Sequence, residues 1–201
     1  MGLHTSYLGH VRIQPVLSPA ERDFVQSFNR TRHCGDRPPL DIATHPMDVE
    51  ETVDVESANR VAPGMPGLWC PWTCCDDGCC LRWDGIEKPS SPDRWLSYLI
   101  DTLLRPAAAL SGDPVARRLG LTFNHVLDGV LVGERAETSE LFALEVRDNQ
   151  AVRRTLLAGR EGVDEWGYRG EQAERDDRRA RLAARRARFA AAVEEDLRRA
   201  G

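Results

Sequence analysis

Five of the six cysteines, Cys70, Cys74, Cys75, Cys79 and Cys80, fall within eleven residues. Thiolates are soft donors, and zinc takes four thiolate or imidazole ligands around one point. The spacing here is not the usual pair of two-residue gaps. Segments 68–73 and 79–83 flank Asp76-Asp77-Gly78, which reads as a β-hairpin with a three-residue loop. Gly comes last, where the left-handed conformation costs it nothing. Cys75 then lies opposite Cys79. On such a hairpin Cys70, Cys74 and Cys80 share one face, and Cys75 and Cys79 the other. Cys70 and Cys74 stand about 13 Å apart at roughly 3.3 Å per residue, too far to share an ion. Only a distorted tip gathers Cys74, Cys75, Cys79 and Cys80 for zinc, whereas Cys75 and Cys79 suit a cross-strand disulfide when oxidised. Small thiols packing a hairpin tip is the plainest of these readings. The expectation is therefore no cofactor, with zinc as the alternative.

A second group is Asp84, Glu87 and Lys88. Of the 27 basic residues 26 are Arg, so the single Lys88 stands out. An ammonium can lose its proton on burial, which a guanidinium does not. Carboxylates beside it would position a substrate or a metal, but Glu87 and Lys88 are adjacent, which departs from the Glu-x-Lys spacing of a nuclease. A structural turn with an ion pair explains the group as well. His125 would be the general base of a small enzyme built on these residues, and a base needs an oriented partner. Asp128, three residues on, would point to the opposite face of a strand. There is no Gly-rich phosphate loop, nucleophile elbow or metalloprotease helix. Trp69, Trp72 and Trp83, with Arg82 between the last two strands' aromatics and Trp95 beyond, form either a contact surface or a core.

The elements that must position these residues follow from period and punctuation. Residues 5–14 alternate as a strand ended by Pro15. Ser18-Pro19-Ala20-Glu21 opens a helix with a cap, a proline at the first helical position and a Glu three after the cap; Phe24, Val25 and Phe28 share its apolar face. Residues 36–66 carry five prolines and no sustained period, a loop long enough to be either functional or disordered. Ser91-Pro92-Asp93 starts a second helix with Trp95, Leu96, Leu99, Ile100, Leu103 and Leu104 at helical spacing, stopped by Pro106. Residues 121–133 and 140–147 alternate around a polar turn, and a short strand follows near Val152. The order is that of an α+β fold: an antiparallel sheet with two helices on one face, in the ferredoxin-like order βαββαβ plus an extra strand.

Composition changes after Gly159. Residues 1–155 read as the α+β domain, 156–170 as a glycine-marked linker, and 171–201, with no Gly or Pro over 171–200, as a long Arg/Ala-rich C-terminal helix. The 201 residues carry a formal charge of −5, yet segment 169–201 is net positive. Its Arg178, Arg179, Arg181, Arg185, Arg186 and Arg188 could meet phosphates, with Phe189 the only nearby platform for stacking. Its apolar residues Leu182, Phe189, Val193 and Leu197 are few. No apolar run reaches the roughly 20 residues of a membrane span, and the N-terminal residues do not pattern as a secretory signal. The Arg-for-Lys skew points to a GC-rich bacterial coding bias, and a bacterial cytoplasm would keep the cysteines reduced.

Gly64-Met65-Pro66-Gly67-Leu68-Trp69-Cys70-Pro71-Trp72, Trp83-Asp84-Gly85-Ile86-Glu87-Lys88, Trp95-Leu96-Ser97-Tyr98-Leu99-Ile100, His125-Val126-Leu127-Asp128-Gly129 and Val146-Arg147-Asp148-Asn149 together resemble a family of small proteins of bacteria and bacteriophages. The likeness covers about residues 1–152 and implies a domain, with no activity attached to it. Members look as if they place two aromatics after the Glu-Lys pair, where this chain has Pro89-Ser90. The functional expectation is a non-enzymatic binding or regulatory module acting through a Trp-rich surface (Trp69, Trp72, Trp83, Arg82), its partner a protein or a second copy. The alternatives are a small enzyme using Asp84, Glu87 and Lys88 with His125, and nucleic-acid association through the terminal helix.

Overall fold

The computed structural model describes residues 4–36, 38–42, 55–86, 89–136 and 138–159, with Ala180, Arg181 and Ala184. The chain divides into two compact units, Met1–Arg160 and Glu161–Gly201. In the second unit Ala180, Arg181 and Ala184 are helical and exposed. The remainder of the expected helix over 171–201, and the linker beyond Gly159, lie outside the described residues.

The first unit is a mixed α+β structure around a six-stranded antiparallel sheet. Its elements are β1 (Thr5–Gln14), α1 (Pro19–Arg30), α2 (Val55–Ala58), β2 (Trp72–Cys74), β3 (Cys80–Trp83), α3 (Pro92–Tyr98), α4 (Pro114–Arg118), β4 (Val126–Arg135), β5 (Leu141–Arg147) and β6 (Gln150–Leu157). The strand order is β2-β3-β1-β4-β5-β6, so α1 and α3 each lie on a connection that crosses between non-adjacent strands. β1 pairs along its whole length with β4, from Thr5 opposite Arg135 to Gln14 opposite Val126. Its other edge meets β3 only at Val11–Leu81 and Arg12–Cys80.

Strand alternation sorts the side chains. Tyr7, Val11 and Ile13 of β1, Leu127 and Leu131 of β4, and Phe142, Leu144 and Val146 of β5 are buried in one cluster with Phe24, Val25 and Phe28 of α1. Trp95, Leu96, Leu99, Ile100, Leu103 and Leu104 complete it. Leu8 and Val130, between them on β1 and β4, and Val152 on β6 are exposed. Gly133 lets Tyr7 and Phe142 meet edge to face, their ring centroids 5.8 Å apart; a Cβ at Gly133 would lie 2.4 Å from the Phe142 ring.

Local chemistry explains the helix ends. Ser18 caps α1 through a reciprocal box: its hydroxyl accepts from the Glu21 N–H at 3.3 Å, and the Glu21 carboxylate accepts from the Ser18 N–H at 2.9 Å. The expected second helix is α3 continued by a π-helical stretch, Leu99–Leu104. The Arg105 N–H reaches the Ile100 carbonyl at 3.1 Å, and Pro106, with no N–H to give, ends it. Ser91 begins α3 in the left-handed region without a side-chain cap. The first strand of the 121–147 hairpin starts at Val126 rather than 121, because the short helix α4, capped by Asp113, and its exit occupy the residues before it. Loop 36–66 sends three of its described residues into the core, Leu40, Ala62 and Met65, and a β-bridge pairs Cys34 with Val61.

Candidate metal centre

β2 and β3 form the expected hairpin, with Trp72 opposite Trp83 and Cys74 opposite Leu81. The loop differs by one residue. The Cys75 N–H donates to the Cys80 carbonyl at 3.0 Å, so Cys75 faces Cys80, not Cys79, and four residues turn the chain. The Gly78 N–H closes a tight turn onto the Cys75 carbonyl at 2.9 Å, with Gly78 at φ +71°. A Cβ there would meet the Leu17 carbonyl at 2.9 Å, which a glycine avoids. The tip is tied to the end of β1 and the start of α1. The Ile13 N–H donates to the Cys79 carbonyl at 2.8 Å and the Leu17 N–H to the Gly78 carbonyl at 3.0 Å, and the Arg22 guanidinium holds the Asp76 carbonyl.

The extra loop residue gathers three thiols. The sulfurs of Cys75, Cys79 and Cys80 all lie within 4.8 Å of one another and each residue is half-buried, with Cys75 and Cys79 Sγ 3.4 Å apart. Strict alternation would have split these residues between faces; the irregular turn removes that separation. Cys74 does not join. It is buried, its Sγ directed at the Arg22 carbonyl 3.7 Å away. Cys70, also buried, lies 3.5 Å from the Trp72 carbonyl. Burial pushes both thiols above the ordinary cysteine range, as expected of packed, unreactive cysteines. Of the four residues expected to gather at a zinc site, the structure brings together Cys75, Cys79 and Cys80 and turns Cys74 into the core.

Within the triad the protons are unequally held. Burial raises the Cys75 pKa, but hydrogen bonds from Cys80 and Cys79 outweigh it and bring the thiol down to about 7. Cys79 is raised first by its hydrogen bond to Cys75. Cys80 is pushed up to about 12 by burial and then by the same Cys75 neighbour. Cys75 is thus the thiol of the three that gives up its proton most readily, with Cys79 and Cys80 as its hydrogen-bonding neighbours. A bound cation would displace the remaining protons and replace S–H donors with three metal–sulfur bonds.

The other expected site residues are dispersed. Trp72 is fully buried, its indole N–H donating to the Pro92 carbonyl at 2.8 Å. It joins hairpin to helix and offers no contact surface, because β2 turns the face that carries Trp72 and Cys74 into the core. Trp95 is buried as well. Trp69 is half-buried under the Arg32 guanidinium, 5.6 Å from the ring centroid. Trp83 packs edge-on to Tyr7 and, with exposed Arg82, borders a polar cleft of about 460 Å3 that also holds Asn29, Arg30, Thr73 and Asp84.

Asp84 spends its carboxylate on structure, accepting from the Asn29 side-chain amide at 2.8 Å and the Ile86 N–H at 2.9 Å. Glu87 and Lys88 lie outside the described residues. His125 is buried against Glu21, not Asp128: its Nε2 lies 3.0 Å from Glu21 Oε1 and its Nδ1 2.7 Å from the Pro15 carbonyl. Asn29 and Glu21 are eight residues apart on α1, about 12 Å at 1.5 Å per residue. The helix thus ties Asp84 and His125 to its opposite ends.

Glu21 escaped the sequence reading as anything but a cap. Its Oε1 also accepts from the Thr122 N–H at 2.8 Å and the Thr122 hydroxyl at 2.6 Å, a contact across 101 residues that no local pattern announces. A second cleft of about 420 Å3 lies between Pro66, Tyr98, Asp101 and Arg153, and it too rests on long-range packing. No family model matches the chain, and no curated protein or solved structure is similar to it.

Proposed function

We propose that the protein is a small, non-enzymatic binding and regulatory module whose working part is the hairpin tip, where Cys75, Cys79 and Cys80 take a thiophilic metal ion. One observation carries the reading: three sulfurs within 4.8 Å of one another, half-exposed, on a turn fixed by backbone hydrogen bonds to Ile13 of β1 and to Leu17 ahead of α1. Sulfurs about 2.3 Å from a shared ion stand about 3.8–4.0 Å apart, so the triad needs little adjustment to close on one. A packed thiol tip would bury its sulfurs as Cys70 and Cys74 do; this one leaves them reachable.

The frame suits the role. A ferredoxin-like βαββαβ arrangement, extended by β5 and β6, gives the hairpin a rigid backing, and the Arg-rich terminal segment brings basic side chains for a protein partner or a second copy. The setting is a bacterial cytoplasm, where thiols stay reduced and available to metal. Titrating the reduced full-length chain with cadmium(II), and following the thiolate-to-metal absorption in the ultraviolet, tests the reading. One equivalent per chain at the break point, lost in Cys80→Ser and kept in Cys70→Ser, is expected. A spectrum that stays flat through several equivalents contradicts it.

A further inference from the structure

We infer that the site is three-coordinate and that its ion is copper(I), bound by Cys75, Cys79 and Cys80 alone. The inference rests on the tip being a metal site and adds the identity of the ion. Donor number carries it. Three sulfurs converge, and among the described residues no fourth joins them. Strand alternation directs Cys74 away to the Arg22 carbonyl, and Cys70, ahead of β2, lies against the Trp72 carbonyl, both in the core. Among the described residues no imidazole or carboxylate joins the cluster, although Asp76 and Asp77 flank it in sequence.

Zinc closes its structural sites with four protein ligands, and here it would have to complete its shell with water. Copper(I) is softer, has a filled d shell and is satisfied by three thiolates, so donor type and donor number agree. In a plane, three sulfurs about 2.3 Å from one ion lie about 4.0 Å apart, within the spread of the triad. The open side of the tip is the entry path. One monovalent cation on three thiolates leaves a negative cluster. Cationic residues stand near it: Arg12 is registered opposite Cys80 in the β1–β3 pair, and Arg22 is bound to the tip at Asp76.

The test is an anaerobic titration of the reduced full-length chain with copper(I), buffered by a chromogenic copper(I) chelator. Native mass spectra give the stoichiometry, and X-ray absorption of the loaded protein gives the neighbours. One copper per chain with three sulfur neighbours and no nitrogen or oxygen is expected, undisturbed by a large excess of zinc(II). Cys74→Ser should keep that signature, and Cys75→Ser should lose one sulfur from it. A fourth protein donor, a two-sulfur copper site, or displacement of copper by zinc overturns the inference. If cadmium(II) or zinc(II) binds the triad but copper(I) is not preferred, this inference fails while the metal-site reading stands; if none of the three ions binds, both fail.

Discussion

His125 shows what a single buried side chain can commit a fold to. Its Nδ1 faces the Pro15 carbonyl and its Nε2 the Glu21 carboxylate, two acceptors that favour the doubly protonated, cationic ring. Burial lowers the His125 pKa, but the Glu21 hydrogen bond, the Pro15 carbonyl and the Glu21 charge outweigh it and raise it. Glu21 is likewise raised by burial, yet bonds from His125, Thr122 and the Ser18 N–H hold it well below the usual carboxylate range. The signs follow from linkage. The depressed Glu21 contributes stability above the unfolded glutamate value near 4.3, and loses it only in strong acid. The raised His125 contributes fully below about 6.5 and loses its share as the pH climbs through its folded value. The pair should therefore stabilise most between about pH 5 and 6.5. Chemical denaturation at pH 6 and pH 9 checks this: the unfolding free energy should fall toward pH 9, and Glu21→Gln should flatten that slope. The same variant should cost about 3 kcal/mol at pH 6, because it leaves a buried cation unpaired.

At the scale of elements, the hairpin decides the most. Its two strands were legible from turn chemistry, but a loop of four residues rather than three changed which sulfurs meet, and a one-residue shift is beyond what composition of a turn specifies. β1, α1 and β5 were legible because a period of two or 3.6, a proline and a capping box mark them. α4 and the full length of β6 were not, since one is five residues long and the other is an exposed edge with no buried parity to read. The tryptophans were ambiguous for a physical reason: the same large apolar rings serve surface and core, and only pairing across the sheet sorts them. Trp72→Ala should cost about 3–5 kcal/mol in denaturant unfolding, as large core truncations do. Trp69→Ala, half-exposed beneath Arg32, should cost about 1 kcal/mol. Gly78→Ala forces a Cβ into the left-handed region and onto the Leu17 carbonyl. It should lower stability by about 1–2 kcal/mol and weaken cadmium(II) binding at the tip; unchanged binding with lowered stability would separate the turn from the site.

Across the whole molecule, the core, the thiol triad and the Glu21–His125 pair all lie within the unit Met1–Arg160. A chain ending at Gly159 should therefore unfold cooperatively with nearly the melting temperature of the full protein and bind the same single ion. A truncated chain that aggregates or loses the ion would make the remaining residues part of the folded unit. No described helix is long and apolar enough to cross a membrane, and the untagged full-length protein can be weighed intact. The most direct measurement is a native mass spectrum of that protein, prepared under reducing conditions without chelator. A folded chain carrying one metal ion, with the increment abolished in the triple variant Cys75→Ser, Cys79→Ser, Cys80→Ser, is the expected result. A folded chain at its bare mass, unchanged after incubation with zinc(II) and with copper(I), would contradict the metal centre and return the three thiols to packing.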